Sequence, residues 1–566
     1  MPAGCVFADK GPAAFVQSDR GPGLLSLLAM TTSRAFAAFV ALQLAAGDAV
    51  PGGGVAHSFE VGVIQRTPVP SLTSVDESIL ARLSRRAWSL KRSLDTRTEN
   101  SHAFCIPALL QSPAGILAGR AAAWADRVRT FDTELGAIQA EIDDRCFVLY
   151  GINDDDRKAI TEGFGGSAAT QPNDEAAPAA EPDSTSASDD DSDDSDEFTV
   201  ADATGLTADL LSWSIGVAAG RFDVRLATGE RALPPEPDPF DPLPVCSPGM
   251  LTGADGLPCA TSPSGYPIDI PQDGVLLDDP GHPRDLTASA RAVFDIVFAG
   301  EADARWQEAT GILDAKNHDL RAFVARTFFE QHLKRYSKSR RKAPIYWQLA
   351  TPSASYSVWL YAHRLTPDTF FHVLHDVVGP KLGHEERKLL SLMQESGPNP
   401  TASQRKEIAG QETFVDELRA FRDEVTRIAS LWKPDLDDGI LLTMAPLWRL
   451  APQHRAWQKE LKGAWDSLCA GEYDWAHVAM HLWPERVVPK CATDRSLAIA
   501  HGLEEVFWEE DAKGKWAARK TPMTPVATLV AERTSPAVKA ALKDLLEAPV
   551  PGGAVRSAGR GKRRNG

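Results

Sequence analysis

Apolar positions between residues 75 and 163 recur every three to four residues, as Leu80, Leu83, Trp88, Leu90 and Leu94, then Trp124, Val128, Phe131, Leu135 and Ile138. That spacing matches the helical turn and predicts helices packed as a bundle. The period returns over residues 205–222, closed by Gly220, and over 287–336, where Leu320, Phe323, Val324 and Phe328 form one stripe. Two more helical stretches, Pro367 to Met393 and Ser403 to Trp432, flank Gly397-Pro398-Asn399-Pro400 and predict a helical hairpin. An apolar helix is predicted around Leu24 to Ala46. Alternation with a period of two is rarer. It predicts a strand over Phe59 to Ile64, stopped by Pro68 and Pro70, and a half-buried β-hairpin carrying Tyr346, Trp347, Tyr356, Trp359 and Tyr361.

These patterns give an α+β, mostly helical fold class. Residues 1–74 are mixed α/β, 75–163 helical and 164–200 an acidic linker, followed by a helix with a Pro-rich arm at 201–286. Residues 287–366 carry a helix, a basic stretch and the aromatic hairpin, and 367–433 the helical hairpin. Residues 434–548 predict a helical domain with an aromatic core, with six of the fourteen tryptophans between 434 and 510, before a basic tail at 549–566.

Charge refines this division. The net charge of -17 conceals an asymmetry, because residues 301–566 hold 39 Lys and Arg against 34 Asp and Glu, leaving 21 against 43 in residues 1–300. Eleven carboxylates fall between Asp174 and Glu197 without one cation, too polar a tract to bury a core, so disorder is expected there. The seven cysteines form no CxxC pair, which fits a reducing, cytoplasmic setting. The apolar run Phe36 to Ala46 is too short to span a bilayer, and no membrane partner is expected.

The most distinctive chemistry is Lys334-Arg335-Tyr336-Ser337-Lys338-Ser339-Arg340-Arg341-Lys342, six cations in nine residues, running at once into Tyr346 and Trp347. Cations followed by aromatic rings suit phosphates and bases. Arg364, beside His363, is a further DNA-contact candidate. Gln65 and Arg66 have side chains able to contact adenine or guanine edges in pairs, or to end a strand. His477 and His481, one helical turn apart, are read as buried, hydrogen-bonded histidines, and no metal ligand or catalytic residue is assigned.

With its continuation through Gln348 to Tyr361 and His363-Arg364-Leu365, the basic stretch resembles the C-terminal half of PglX-type adenine-specific DNA methyltransferases of BREX phage defence. Related segments occur in fused type II restriction-modification enzymes. The resemblance extends over Leu436 to Ile440, Ala445-Pro446-Leu447-Trp448, Tyr473 to His477, Trp483 to Val487 and Ser496 to Leu503. It is weaker at Ser58 to Pro68 and Gly216 to Phe222. It implies that residues 1–74 are part of a target-recognition domain, with double-stranded DNA and a methyltransferase polypeptide or other defence subunits as partners.

Amino-group methyltransferases hold an extruded base with an Asp/Asn/Ser-Pro-Pro-aromatic loop. The one Pro-Pro pair here, Pro234-Pro235, is flanked by Leu233 and Glu236. Gly163-Phe164-Gly165-Gly166 opens into the acidic tract and joins no strand to a helix. No cofactor is therefore assigned to this chain, and S-adenosylmethionine is expected on a missing catalytic half or a partner.

Overall fold

The computed structural model describes residues 21–47, 61–112, 115–165, 203–314, 319–338, 341–512 and 514–549. They are mostly helical, with three small antiparallel sheets. The acidic tract Ser167 to Glu197, the basic tail after residue 549 and Arg340 lie outside the described residues. Two units are distinguished: Met1–Leu210 with Arg225–Pro258, and Leu211–Val224 with Cys259–Gly566.

The first unit is helical. The apolar stretch near the start forms two helices, Gly21–Thr31 and Arg34–Gly47, where one was expected. Ser33 is the reason: its hydroxyl accepts the Phe36 N–H at 3.2 Å and caps a new helix, while donating to the Met30 carbonyl. The helices Ser74–Asp95, Leu117–Leu149 and Asp154–Gly165 follow as the periodicity predicts. Leu80, Leu83, Leu90, Ile138, Ile142 and Phe147 meet in a core with Ala29 and Met30. The strand expected at Phe59 to Ile64 is corrected over its described part, because Val61–Arg66 is a short helix. Local β-propensity is a weak prior that packing overrides, and Pro68 still follows its end.

Among the described residues no single helix is long and apolar enough to cross a membrane. The bent pair Gly21–Thr31 and Arg34–Gln43 passes by composition alone, and much of its first helix is buried in the unit.

The second unit is organised on a three-stranded antiparallel sheet in the order β1-β5-β4. Strand β1 is Val275–Asp278, β2 and β3 are Ser337–Lys338 and Arg341–Lys342, β4 is Tyr346–Ala350, and β5 is Ser357–Tyr361. Strand β1 lies within the predicted irregular arm. All four of its residues are buried, so it lacks the polar-apolar alternation that would have marked it. The expected hairpin is present, with Tyr346 opposite Tyr361 and Ala350 opposite Ser357. It is not half-buried, because every residue of β4 and β5 is buried.

Gly220, at φ +79°, ends the helix Ala203–Ala218 as expected, and a Cβ there would lie 2.2 Å from Ile270. The helical hairpin is also present, as Gly379–Ser396 and Ala402–Ala429, the latter opened by a full capping box at Thr401 and Gln404. In the C-terminal helices Trp448, Trp457 and Trp465 are buried, whereas Trp475 is exposed. A small antiparallel pair, β6 (Trp508–Glu510) with β7 (Trp516–Ala518), completes the region. One continuous core runs from Leu211 through the sheet to Leu545.

Arg321 ties β1 to this core. Its guanidinium donates to Asp278 at 2.6 Å and to both oxygens of Asp285, at 2.7 and 2.6 Å. Asp285 also caps the helix Leu286–Phe298 through Ala288 N–H. Both carboxylates are buried, so removing the cation strands two charges. Arg321→Leu is expected to lower the unfolding free energy by about 3–5 kcal/mol, measured by urea denaturation of the full chain.

Candidate nucleic-acid interface

The basic stretch leaves a helix and folds into a second hairpin. Leu320–Phe323, the π turn Val324–Phe328 and Phe329–Arg335 run consecutively and place Lys334 and Arg335 in the last turn, where cations favour the helix dipole. Ser337 Oγ donates to the Leu333 carbonyl at 2.5 Å, and Ala343 N–H to the Tyr336 carbonyl at 2.9 Å. Between these bonds β2 pairs with β3, setting Lys338 opposite Arg341 and Ser337 opposite Lys342. Directly opposed residues share a face, and like charges so placed repel. Lys338 and Arg341 are both exposed, and neither makes an ion pair or side-chain hydrogen bond with another described residue.

The other face is anchored. Lys342 is bonded to Glu460 of the helix Arg455–Ala470, which makes it a tether and corrects its assignment as a free phosphate contact. Lys334 is exposed and Arg335 half-buried.

Histidine and glutamine fix this region from beneath. His332, 1% exposed, accepts the N–H groups of Ile345 and Tyr346 at its Nε2, at 2.9 and 3.0 Å, and so pins the start of β4 to the helix before the hairpin. Gln348 donates from Nε2 to the Ala325 carbonyl inside the π turn and to Ser357 Oγ, at 2.8 and 3.1 Å. Its Oε1 faces His454 Nε2 at 2.8 Å. With the amide nitrogen spent on the carbonyl, the oxygen must accept, so His454 carries its proton on Nε2. His332, Gln348 and His454 escaped sequence reasoning. Only Gln348, a polar residue inside an aromatic strand, offered any signal.

The other expected contacts are corrected. Tyr346 and Trp347 are 2% and 0% exposed, with Trp347 Nε1 donating to the Pro344 carbonyl, so neither ring can stack on a base. Arg364 donates to the carbonyls of Ala260, Cys259 and Pro271 at 2.7, 2.8 and 3.3 Å, holding irregular chain rather than DNA. Gln65 and Arg66 are exposed at the end of a helix in the first unit, not on a strand.

His477 is exposed, which corrects its reading as a buried histidine, and His481 is half-buried; the two do not converge. His481 donates to the Leu431 carbonyl at 3.1 Å, while His477 Nδ1 lies 2.7 Å from Asp435. Asp438 is close to both, yet its two oxygens accept the N–H groups of His477 and Val478, each at 2.7 Å. The cluster therefore holds the start of the helix His477–Leu482. The bond to Asp435 raises the pKa of His477, whereas burial lowers those of His481, His501 and His454.

No protein-family model and no curated protein matches this chain.

The shifted histidines make stability depend on pH. A pKa lowered in the folded state means that the unfolded chain takes up protons first, near the ordinary value of 6.5 for His454. Its contribution is complete above that value and is lost as the pH falls below it. Raised His477 acts in the opposite sense, losing its contribution as the pH rises through its folded value. Since His454, His481 and His501 all favour the neutral form, the melting temperature is expected to drop as the pH falls below about 6.5. In His454→Gln, which retains a donor towards Gln348 and cannot titrate, that drop should be smaller, as scanning calorimetry across the interval can measure.

Proposed function

We propose that this chain binds double-stranded DNA as the recognition and assembly part of an adenine-specific DNA methyltransferase of a phage-defence or restriction-modification system. The observation that carries the reading is the exposed Lys338 and Arg341 pair, two like charges opposed across a short hairpin with no counter-ion among the described residues. Such a pair repels until a polyanion lies across it, and DNA phosphates supply that charge at regular spacing. Lys334 extends the positive surface, and the undescribed Arg340 falls between the two strands in sequence. The motifs from Lys334 to Leu503 support the methyltransferase context.

Binding through phosphates sets position and orientation and carries no sequence information of its own. Methyl transfer from S-adenosylmethionine takes place on another polypeptide or segment, and this chain contributes grip and register. The alternative is a structural subunit that binds other defence proteins. Burial of the aromatic hairpin takes Tyr346 and Trp347 out of any contact with a partner, whereas Lys338 and Arg341 beside them are exposed.

The purified chain should bind duplex DNA with an affinity that falls steeply as salt rises. In Lys338→Glu/Arg341→Glu the affinity should fall by at least about 10-fold, and the slope of log affinity against log salt should shrink by roughly 2, since each phosphate contact releases close to one counter-ion. Fluorescence anisotropy with a labelled duplex from 50 to 200 mM salt, roughly the range over which such contacts respond, measures both. Binding that is absent or indifferent to salt would mean that the chain works through protein partners.

A further inference from the structure

A groove of about 460 Å³ lies beside the basic hairpin, between the helices Phe329–Arg335 and Arg455–Ala470. We infer that it takes one unpaired nucleotide of the nucleic acid that the hairpin grips, so this inference rests on the DNA-binding reading above. The volume falls in the range of about 300–1,000 Å³ usual for small-ligand sites. Ser337 and Lys342 line it from the face of the hairpin opposite Lys338 and Arg341, and Lys334, an exposed cation of the same basic stretch, also lines it, so a strand held by that stretch passes its mouth.

Two buried side chains in the lining have polar atoms with nothing to bond. Trp457, 2% exposed, has no acceptor for its Nε1–H. His454, 4% exposed, has no hydrogen-bond partner at Nδ1. Because Gln348 holds the proton on Nε2, the neutral ring offers a lone pair at Nδ1. Glu330 Oε1 lies 3.7 Å from that atom, and Glu330 also lines the groove. The lone pair at Nδ1 calls for a donor, and the indole calls for an acceptor. A nucleobase edge supplies both kinds of group on one rigid plane, an exocyclic amine beside a ring nitrogen or carbonyl. Phe329 and Leu333 provide an apolar wall, with the Phe329 and His454 rings 4.6 Å apart. Both polar atoms are screened from water, so the base reaches them by displacing the exposed carboxylate of Glu330.

The phosphate has a place as well. The helix Arg455–Ala470 is sixteen residues long, and His454 at its N-cap makes no side-chain bond to the first turn. An uncapped N-terminus presents free N–H groups and a partial positive charge. Ala456 and Trp457 of that turn line the groove opposite Lys334, whose ammonium adds a full charge.

The test uses the full chain, a fully paired duplex, the same duplex with a single unpaired adenosine, adenosine monophosphate and inorganic phosphate. The duplex with the unpaired base is expected to bind about 10-fold more tightly than the paired one, the value of one good base-edge contact. Trp457→Phe keeps the ring and removes the donor, and should reduce that preference by about 5-fold while leaving the paired duplex unchanged. Adenosine monophosphate should bind the wild type in calorimetry and abolish the preference, and inorganic phosphate should not. If Trp457→Phe fails to fold, His454→Gln replaces it, removing the Nδ1 acceptor and retaining the donor to Gln348. Normal paired-duplex binding with no preference, or with a preference that neither variant alters, overturns the groove and leaves the hairpin reading intact. Loss of all duplex binding overturns the hairpin reading instead, and adenosine monophosphate titrated alone then decides the groove. Competition by phosphate equal to that of the nucleotide overturns the assignment of a base.

Discussion

Everything near the basic hairpin depends on a buried set of hydrogen bonds centred on Gln348. An amide in the middle of strand β4, 1% exposed, is tolerable only if every one of its groups is satisfied. Its nitrogen takes a carbonyl released by the π turn and a serine hydroxyl, and its oxygen takes the His454 N–H. Three separate pieces of chain are thereby fixed: the helix before the hairpin, strand β5 and the start of the helix Arg455–Ala470. His332 adds a fourth link by receiving two backbone N–H groups of the chain entering β4. Because an unmet buried polar group costs more than a bond gains, these contacts specify one arrangement more than they add stability.

The same economy explains how the cations are divided. Arg321 and Arg364 sit among carboxylates and carbonyls that need donors, Lys342 meets Glu460, and Arg449 bonds to the carbonyls of Leu545, Ala548 and Pro549. Positive side chains within this unit are thus largely spent on holding it together. Lys338 and Arg341 stand apart from that pattern, and their opposition across two short strands concentrates charge on one face. The tight ladder prevents them from drifting apart, so the repulsion is relieved by a bound anion rather than by rearrangement. An anchored lysine on the reverse face keeps the loop against the body that carries it.

Helical periodicity was legible wherever a stripe faced a core: Leu80 to Leu94, Trp124 to Ile138, and Leu320 to Phe328 all pack as their spacing implies. Punctuation was legible too, in Gly220 and in the Gly397 to Pro400 loop. Strand β1 was not, because a fully buried strand of four residues inside Pro-rich chain shows neither alternation nor length. The break at Ser33 was hidden because a serine inside an apolar run reads as a tolerated helix residue until its hydroxyl is seen to cap. Tyr346 and Trp347 show the limit most clearly. An aromatic ring after a cluster of cations suits a base and a hydrophobic core equally well, and only the position of the second layer of side chains separates the two.

By itself, then, the sequence determined the helical class, the aromatic hairpin, and the existence and place of a concentrated positive charge, because these follow from residue type and local spacing. The tertiary structure decided which cations are committed and which are exposed, which rings are core, and that a groove with unmet donors and acceptors adjoins the hairpin. The physical reason is that satisfaction of charge and of hydrogen bonds depends on partners distant in the chain. Glu460 lies 118 residues from Lys342 and His454 lies 106 from Gln348, and no local pattern records such a pairing.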